Sequence, residues 1–197
     1  MDLLAVAGHL PGRYAGEVAL AASLCDFEIE LSHVDRGVEA KLRLKTARHP
    51  SETFARVWLR VLAYCLWYDE RLAFGPGLSD PDAPDLLLTD LTGQPAHWIR
   101  VGKSEPAKIQ RAADRNPRVS VLFESPARLA AFVEAARAEG VERLEEVELA
   151  AVDPALVDAL AAGEERRAKA QVTIVGDHFY VQKDGASHDG ALERARA

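Results

Sequence analysis

Cysteine is scarce in this chain of 197 residues: only Cys25 and Cys65 occur, and neither belongs to a CxxC pair. That spacing offers no redox or zinc motif, and both thiols are expected as reduced core residues of a cytoplasmic protein. Long apolar runs are also missing, with no window near the roughly eighteen residues of a membrane span. The opening MDLLAVAGHLPGRYAGEVALAASL lacks the positive start and unbroken apolar stretch of a signal peptide. Positive charge is not in excess either. A net charge of -7 argues against broad, nonspecific binding to nucleic acid, because counterion release needs clustered Lys and Arg. It leaves room for a local basic groove. The histidines other than His49 are scattered without ligand spacing, so no zinc site is expected, and no Ser/His/Asp set, phosphate loop or dinucleotide fingerprint stands out.

What is present is ordinary globular composition, 48% hydrophobic and 28% charged, in a length that suits one domain with a real core. CDFEIEL at 25–31 and VEAKLRLK at 38–45 alternate apolar and charged residues around the turn sequence VDRG. This predicts a hairpin with Cys25, Phe27, Ile29 and Leu31 inward beside Val38, Ala40, Leu42 and Leu44. Its outward acids then face outward bases across the strands, which explains those charges without a function.

From Pro50 the apolar period becomes 3.6: Phe54, Val57, Trp58, Val61, Leu62, Cys65 and Leu66 form one stripe, predicting a helix with Pro50 and Glu52 in its first turn. Short strands are expected at about 72–74, 85–89 and 97–101. A helix capped by Ser104 and running to about Asp114 follows, then a buried strand at 118–125. The middle of the chain thus reads α-β-β-β-α-β. Beyond it the pattern predicts a helix over 126–139, a strand near 145–151, a helix opened by Asp153-Pro154, and a hairpin turning at Gly176-Asp177. Residues 183–197 read as a polar, mobile tail, and residues 1–18 as an extension preceding the domain at 19–182.

The stretches ARHPSET, DERLAFGPGLSDPDAPDL, HWIRVG and KIQRA occur in that order, and together they resemble the YaeQ family over roughly residues 19–182. The resemblance implies an α/β protein with a restriction-endonuclease-like, PD-(D/E)XK core flanked by extra β-hairpins at both ends. It implies bacterial origin and a site more firmly than a reaction. Metal-dependent phosphodiester cleavage needs carboxylates to hold Mg²⁺ or Mn²⁺ and a cation to polarise water or phosphate. In this fold the acids come from the first helix and two adjacent strands, and Glu52 and Asp85 fill two of those slots as metal ligands. The third slot, an acid in relatives, holds Arg100, and the lysine slot two residues on is Gly102. Lys103 would need a bulge at Gly102 to reach the same face. Arg100 could instead pair with Asp85 or Glu52 where a metal would sit.

Plainer readings stand beside these. Glu52 could simply favour a helix start and pair with Arg56 one turn on, and Asp85 could be a strand-edge residue. Lys108, Arg111 and Arg115 share one face of the second helix, which is either a solvated surface or a phosphate-contacting stripe, with Arg56 a further phosphate contact. Asp69, Glu70 and Arg71 fit helix-end packing as well as chemistry, and His49 fits a cap better than a metal neighbour. The leading expectation is a nuclease-like protein that engages nucleic acid or a phosphorylated ligand. In it Glu52, Asp85, Arg100 and Lys103 line a site of weak or lost hydrolytic activity, with weak Mg²⁺ or Mn²⁺ binding. The alternative is a noncatalytic interaction module whose old site is closed by ion pairs.

Overall fold

Period-two alternation gives the first hairpin. Strands β1 (Ser23–His33) and β2 (Val38–Arg48) pair antiparallel with Phe27 opposite Leu44, Ile29 opposite Leu42 and Leu31 opposite Ala40, the inward set expected. On the other face Arg43 meets Asp26 at 3.0 Å and Lys41 meets Glu30 at 3.4 Å. The structure, a computed structural model, describes residues 22–76, 80 and 82–195. The expected extension at 1–18 lies outside them.

The helix α1 (Phe54–Leu66) is followed by β3 (Leu72–Phe74), β4 (Leu86–Thr89), β5 (Pro95–Val101), α2 (Pro106–Arg115) and β6 (Val119–Phe123), the α-β-β-β-α-β order that the changes of period predict. Then come α3 (Pro126–Ala138), β7 (Val147–Val152), α4 (Pro154–Ala161), β8 (Arg167–Val175), β9 (His178–Lys183) and β10 (Ala186–Ala195). The strands form one mixed sheet of ten in the order β2-β1-β8-β9-β10-β7-β6-β5-β4-β3. Strands β5, β6 and β7 run parallel through the crossover helices α2 and α3.

Two apolar layers hold the sheet. Inside it, α1 packs with Phe27 and Ile29 of β1, Val172 and Ile174 of β8, Leu86 of β4 and Ile99 of β5. Every residue of α1 from Val57 to Leu66 is buried, so the helix is enclosed by protein on all sides rather than along one stripe. Phe27 and Trp58 meet edge to face at 5.0 Å. On the opposite face, Ile109 of α2 and Leu129 and Phe132 of α3 cover Val119, Val121 and Phe123. Strand β6 is therefore buried on both faces, which is why VSVLF is continuously apolar. Both cysteines are free and buried, and burial pushes the Cys65 thiol up to about 12.

Three expectations need correction. Residues 183–197 contain β10 rather than a tail: Ala186–Ala191 pair with β9 and Leu192–Ala195 with β7, joining the two halves of the sheet. Its few apolar residues hid it, since Gly190 and Leu192 alone on this strand face fully inward. Helix α1 begins at Phe54, where the Thr53 hydroxyl accepts the Arg56 N–H, and Pro50 and Glu52 lie in a preceding turn closed by the Glu52 N–H on the His49 carbonyl. Ser104 does not cap α2. Its hydroxyl donates to the Gly102 carbonyl, and Glu105 occupies the cap position ahead of Pro106.

Candidate functional site

Backbone geometry places Asp85 between two strands. Its N–H donates to the Ile99 carbonyl at 2.9 Å and its carbonyl accepts the Gly75 N–H at 2.8 Å. Glycine is needed at 75, because a Cβ there would come within 2.1 Å of the Pro84 carbonyl oxygen. Glu52 is fixed just ahead of α1 by the His49 turn. Sequence separation hides their proximity, yet one guanidinium spans the pair: Arg56 Nη1 lies 2.5 Å from Glu52 Oε1 and Nη2 2.5 Å from Asp85 Oδ1. The two expected acids do converge. Both are almost fully buried, at 2% and 1% exposure.

All four carboxylate oxygens accept an N–H. Besides the Arg56 contacts, the His49 N–H points to Glu52 Oε2 at 3.3 Å and the Val101 N–H to Asp85 Oδ2 at 2.9 Å. Arg100 adds its Nε 3.6 Å from Asp85 Oδ2 while its Nη1 donates to the Ala83 carbonyl at 2.8 Å. Arg60, fully enclosed, stands 3.6 Å from Glu52 and 3.9 Å from Asp85, and donates to the carbonyls of Ala47 and Gly75. Burial lowers its pKa, and Glu52 and Asp85 counter part of that shift. The local count is three guanidinium ions against two carboxylates. Such an arrangement does not fit a divalent ion, whose place between the acids is taken by Arg56. Among the described residues no group of three or more His, Cys, Asp or Glu is placed to hold a metal.

Arg56 and Arg100 face outward into a cleft of about 430 Å³ that Lys103 also lines. Lys103 reaches it because Gly102 adopts φ +72°, a left-handed conformation suited to glycine, with its N–H held by the Leu122 carbonyl at 2.8 Å. Gly102 lies just past the end of β5, so a left-handed turn after the strand, rather than the bulge within it that was expected, brings Lys103 to the cleft. Lys108 and Arg111 do not join that cleft. They line a separate hollow of about 270 Å³ with Arg115, Asp82 and Trp98, and Lys108 pairs with Asp82 at 3.4 Å.

The plainer reading fits the DER stretch. Asp69 accepts the Arg71 backbone N–H at 2.9 Å in the turn between α1 and β3, so the DER stretch is a turn with an internal ion pair. His49 does not cap α1, a role Thr53 takes; its Nδ1 pairs with the Ser51 hydroxyl at 2.7 Å in the turn before the helix. Arg60 was missed, although positions 52, 56 and 60 share the helical spacing of four that lines them up. Also missed were Glu124 and Asp158, which line the same cleft as the cations. Away from the cleft, buried His97 meets the Ser120 hydroxyl at 2.7 Å, and that hydroxyl donates to Glu148. Burial lowers the His97 pKa to about 4, so its imidazole is neutral.

Among the described residues no helix is long and apolar enough to cross a membrane. The chain is similar to the YaeQ proteins of Salmonella typhi, at 33% identity, and of Escherichia coli K12, at 32%. Each match runs over 105 residues, so the chain spans 58% of the length of these relatives, and 53% of its own. Its fold matches the crystal structure of YaeQ from Xanthomonas axonopodis pv. citri with a TM-score of 0.81 and 31% identity, covering 90% of this chain and 99% of that one. The YaeQ structure from Pseudomonas syringae matches with the same score at 34% identity, over 89% and 97% of the two chains. A family model described as YaeQ protein matches residues 18–191, and this chain therefore belongs to the YaeQ family.

Proposed function

We propose that this protein has a nuclease-like core, a variant of the PD-(D/E)XK fold, that engages nucleic acid or a phosphorylated ligand while its hydrolytic activity is weak or lost. The observation that carries this reading is the bridging of Glu52 and Asp85 by Arg56, beside a cleft that Arg100 and Lys103 line. The order α1-β3-β4-β5-α2-β6 supports the fold assignment. Mg²⁺ or Mn²⁺ binding at the acids has to displace Arg56 and is accordingly weak. Lys108 and Arg111, in a separate hollow, offer a second set of cations for phosphates.

A second reading is a noncatalytic protein-interaction module, and the ion pair between Arg100 and Asp85 favours it because it helps close the former site. Anisotropy with a labelled single-stranded oligonucleotide separates the two. Under the first reading, salt-dependent binding is observed and the pair Arg100→Ala and Lys103→Ala weakens it by about tenfold or more. Absence of binding at low salt, for single- and double-stranded probes, a mononucleotide and inorganic phosphate alike, leaves only the interaction module.

A further inference from the structure

The charges around the cleft are not uniform. Arg56, Arg100 and Lys103 line it together with two acids, Glu124 and Asp158. Apolar surface from Leu59 and Val157 completes it. Lys103 is exposed and makes no ion pair among the described residues, whereas Arg56 is committed to two carboxylates. Glu124 is only loosely held, by Arg128 at 3.4 Å on the surface.

A nucleic-acid strand running through such a cleft would bring internal phosphates against Glu124 and Asp158, and like charges at close range oppose that path. One phosphate held by Lys103 and Arg100, with the hydrogen-bond donors of the rest of the ligand meeting the acids, brings fewer like charges together than a run of internal phosphates. A phosphomonoester, carrying nearly two negative charges at neutral pH, gains more from Lys103 and Arg100 than a phosphodiester with one. The volume, about 430 Å³, falls in the range of small-ligand sites rather than of an extended groove. Carboxylates accept from exocyclic amines and hydroxyls, which a nucleoside supplies.

Resting on the phosphate-engaging reading above, we infer that the cleft holds one nucleoside monophosphate unit, its phosphate on Lys103 and Arg100 and its base or sugar donors toward Glu124 and Asp158, with no divalent ion. The guanidinium of Arg56 supplies behind the phosphate the positive charge that a metal would otherwise supply. The unit could be a free mononucleotide or the 5′-phosphorylated end of a strand, and the test distinguishes these sources.

Binding is measured by calorimetry and anisotropy in EDTA, using cytidine monophosphate, inorganic phosphate, and a ten-residue single strand with and without its 5′-phosphate. Binding of the mononucleotide, and a loss of about tenfold or more when the 5′-phosphate is removed, are expected. Lys103→Ala should abolish that preference at an unchanged melting temperature, and Glu124→Gln should narrow the difference between cytidine monophosphate and inorganic phosphate. A strand bound more tightly than the mononucleotide assigns the site to chain ends, and the reverse order assigns it to free nucleotides. Equal binding of both strands overturns the single-phosphate inference while nucleic-acid engagement stands. Binding that appears only with Mn²⁺ overturns the metal-free inference alone. If no probe binds, both readings fall.

Discussion

Arg56→Met removes the cation between Glu52 and Asp85 while keeping an unbranched apolar side chain in its path. Each acid then loses a 2.5 Å contact and stays buried. Arg60 and Arg100 remain at 3.6 to 3.9 Å, too far to replace those hydrogen bonds. Removing one partner of a buried ion pair costs about 3–5 kcal/mol, a large share of the roughly 5–15 kcal/mol that holds a domain together. Urea unfolding at pH 7 should show that loss in wild type against variant. The loss should change little between low and high salt, because the cluster is shielded from the ionic atmosphere. Mn²⁺ should also stabilise the single variant and not the wild type, by up to about 2.7 kcal/mol at a hundredfold excess over its dissociation constant. A loss below about 1 kcal/mol, or equal Mn²⁺ stabilisation of both proteins, would refute the role given to Arg56.

Three further outcomes follow from the same geometry. Arg100→Glu should raise Mn²⁺ affinity over wild type and raise it further when combined with Arg56→Met, as calorimetry would show; a wild type that binds as tightly as the double variant contradicts the occupancy of the site by arginine. His97, lowered from the ordinary 6.5 to about 4 by burial, takes up its proton more readily in the unfolded chain, so it contributes stability that is complete above pH 6.5 and is lost as pH falls toward 4. The shift corresponds to about 3 kcal/mol, and His97→Gln should flatten the stability profile between pH 6.5 and 4; an unchanged slope there would count against it. Truncation before Ala186 removes β10 from between β9 and β7 and should yield protein without a cooperative melting transition, whereas a mobile tail could be lost without effect.

Much of the fold was legible because one physical signal sufficed for each element. Alternation fixed the register of β1 and β2, since a slip by one residue would have buried Glu28 and Arg43. The change to period 3.6 located α1, although not its start, which the Thr53 cap decides. Strand β10 was illegible because strands on both sides supply most of its setting, and the run ASHDGALERA shows little apolar content of its own. At the site, Glu52, Asp85 and Arg100 could be named from motif order, whereas Arg56 as the bridge depends on a contact spanning 29 positions. Arg60 could not be found by hydrophobicity at all, because an apolar period treats a fully buried arginine as a surface residue.

Arg60 also changes what the acids mean. Strands β2 and β3 are the two edges of the ten-stranded sheet, and Arg60 donates to the Ala47 carbonyl on β2 and to the Gly75 carbonyl just past β3. Its charge is supportable in that enclosed position because Glu52 and Asp85 stand within 3.6 and 3.9 Å. The same pair that resembles a metal site therefore underwrites the closure between the sheet edges around α1. That structural task alone accounts for two carboxylates at these positions, with or without phosphodiester chemistry. Their presence is accordingly poor evidence of hydrolysis, and the cleft outside Arg56, where Lys103 stands without an ion-pair partner among the described residues, carries the functional weight.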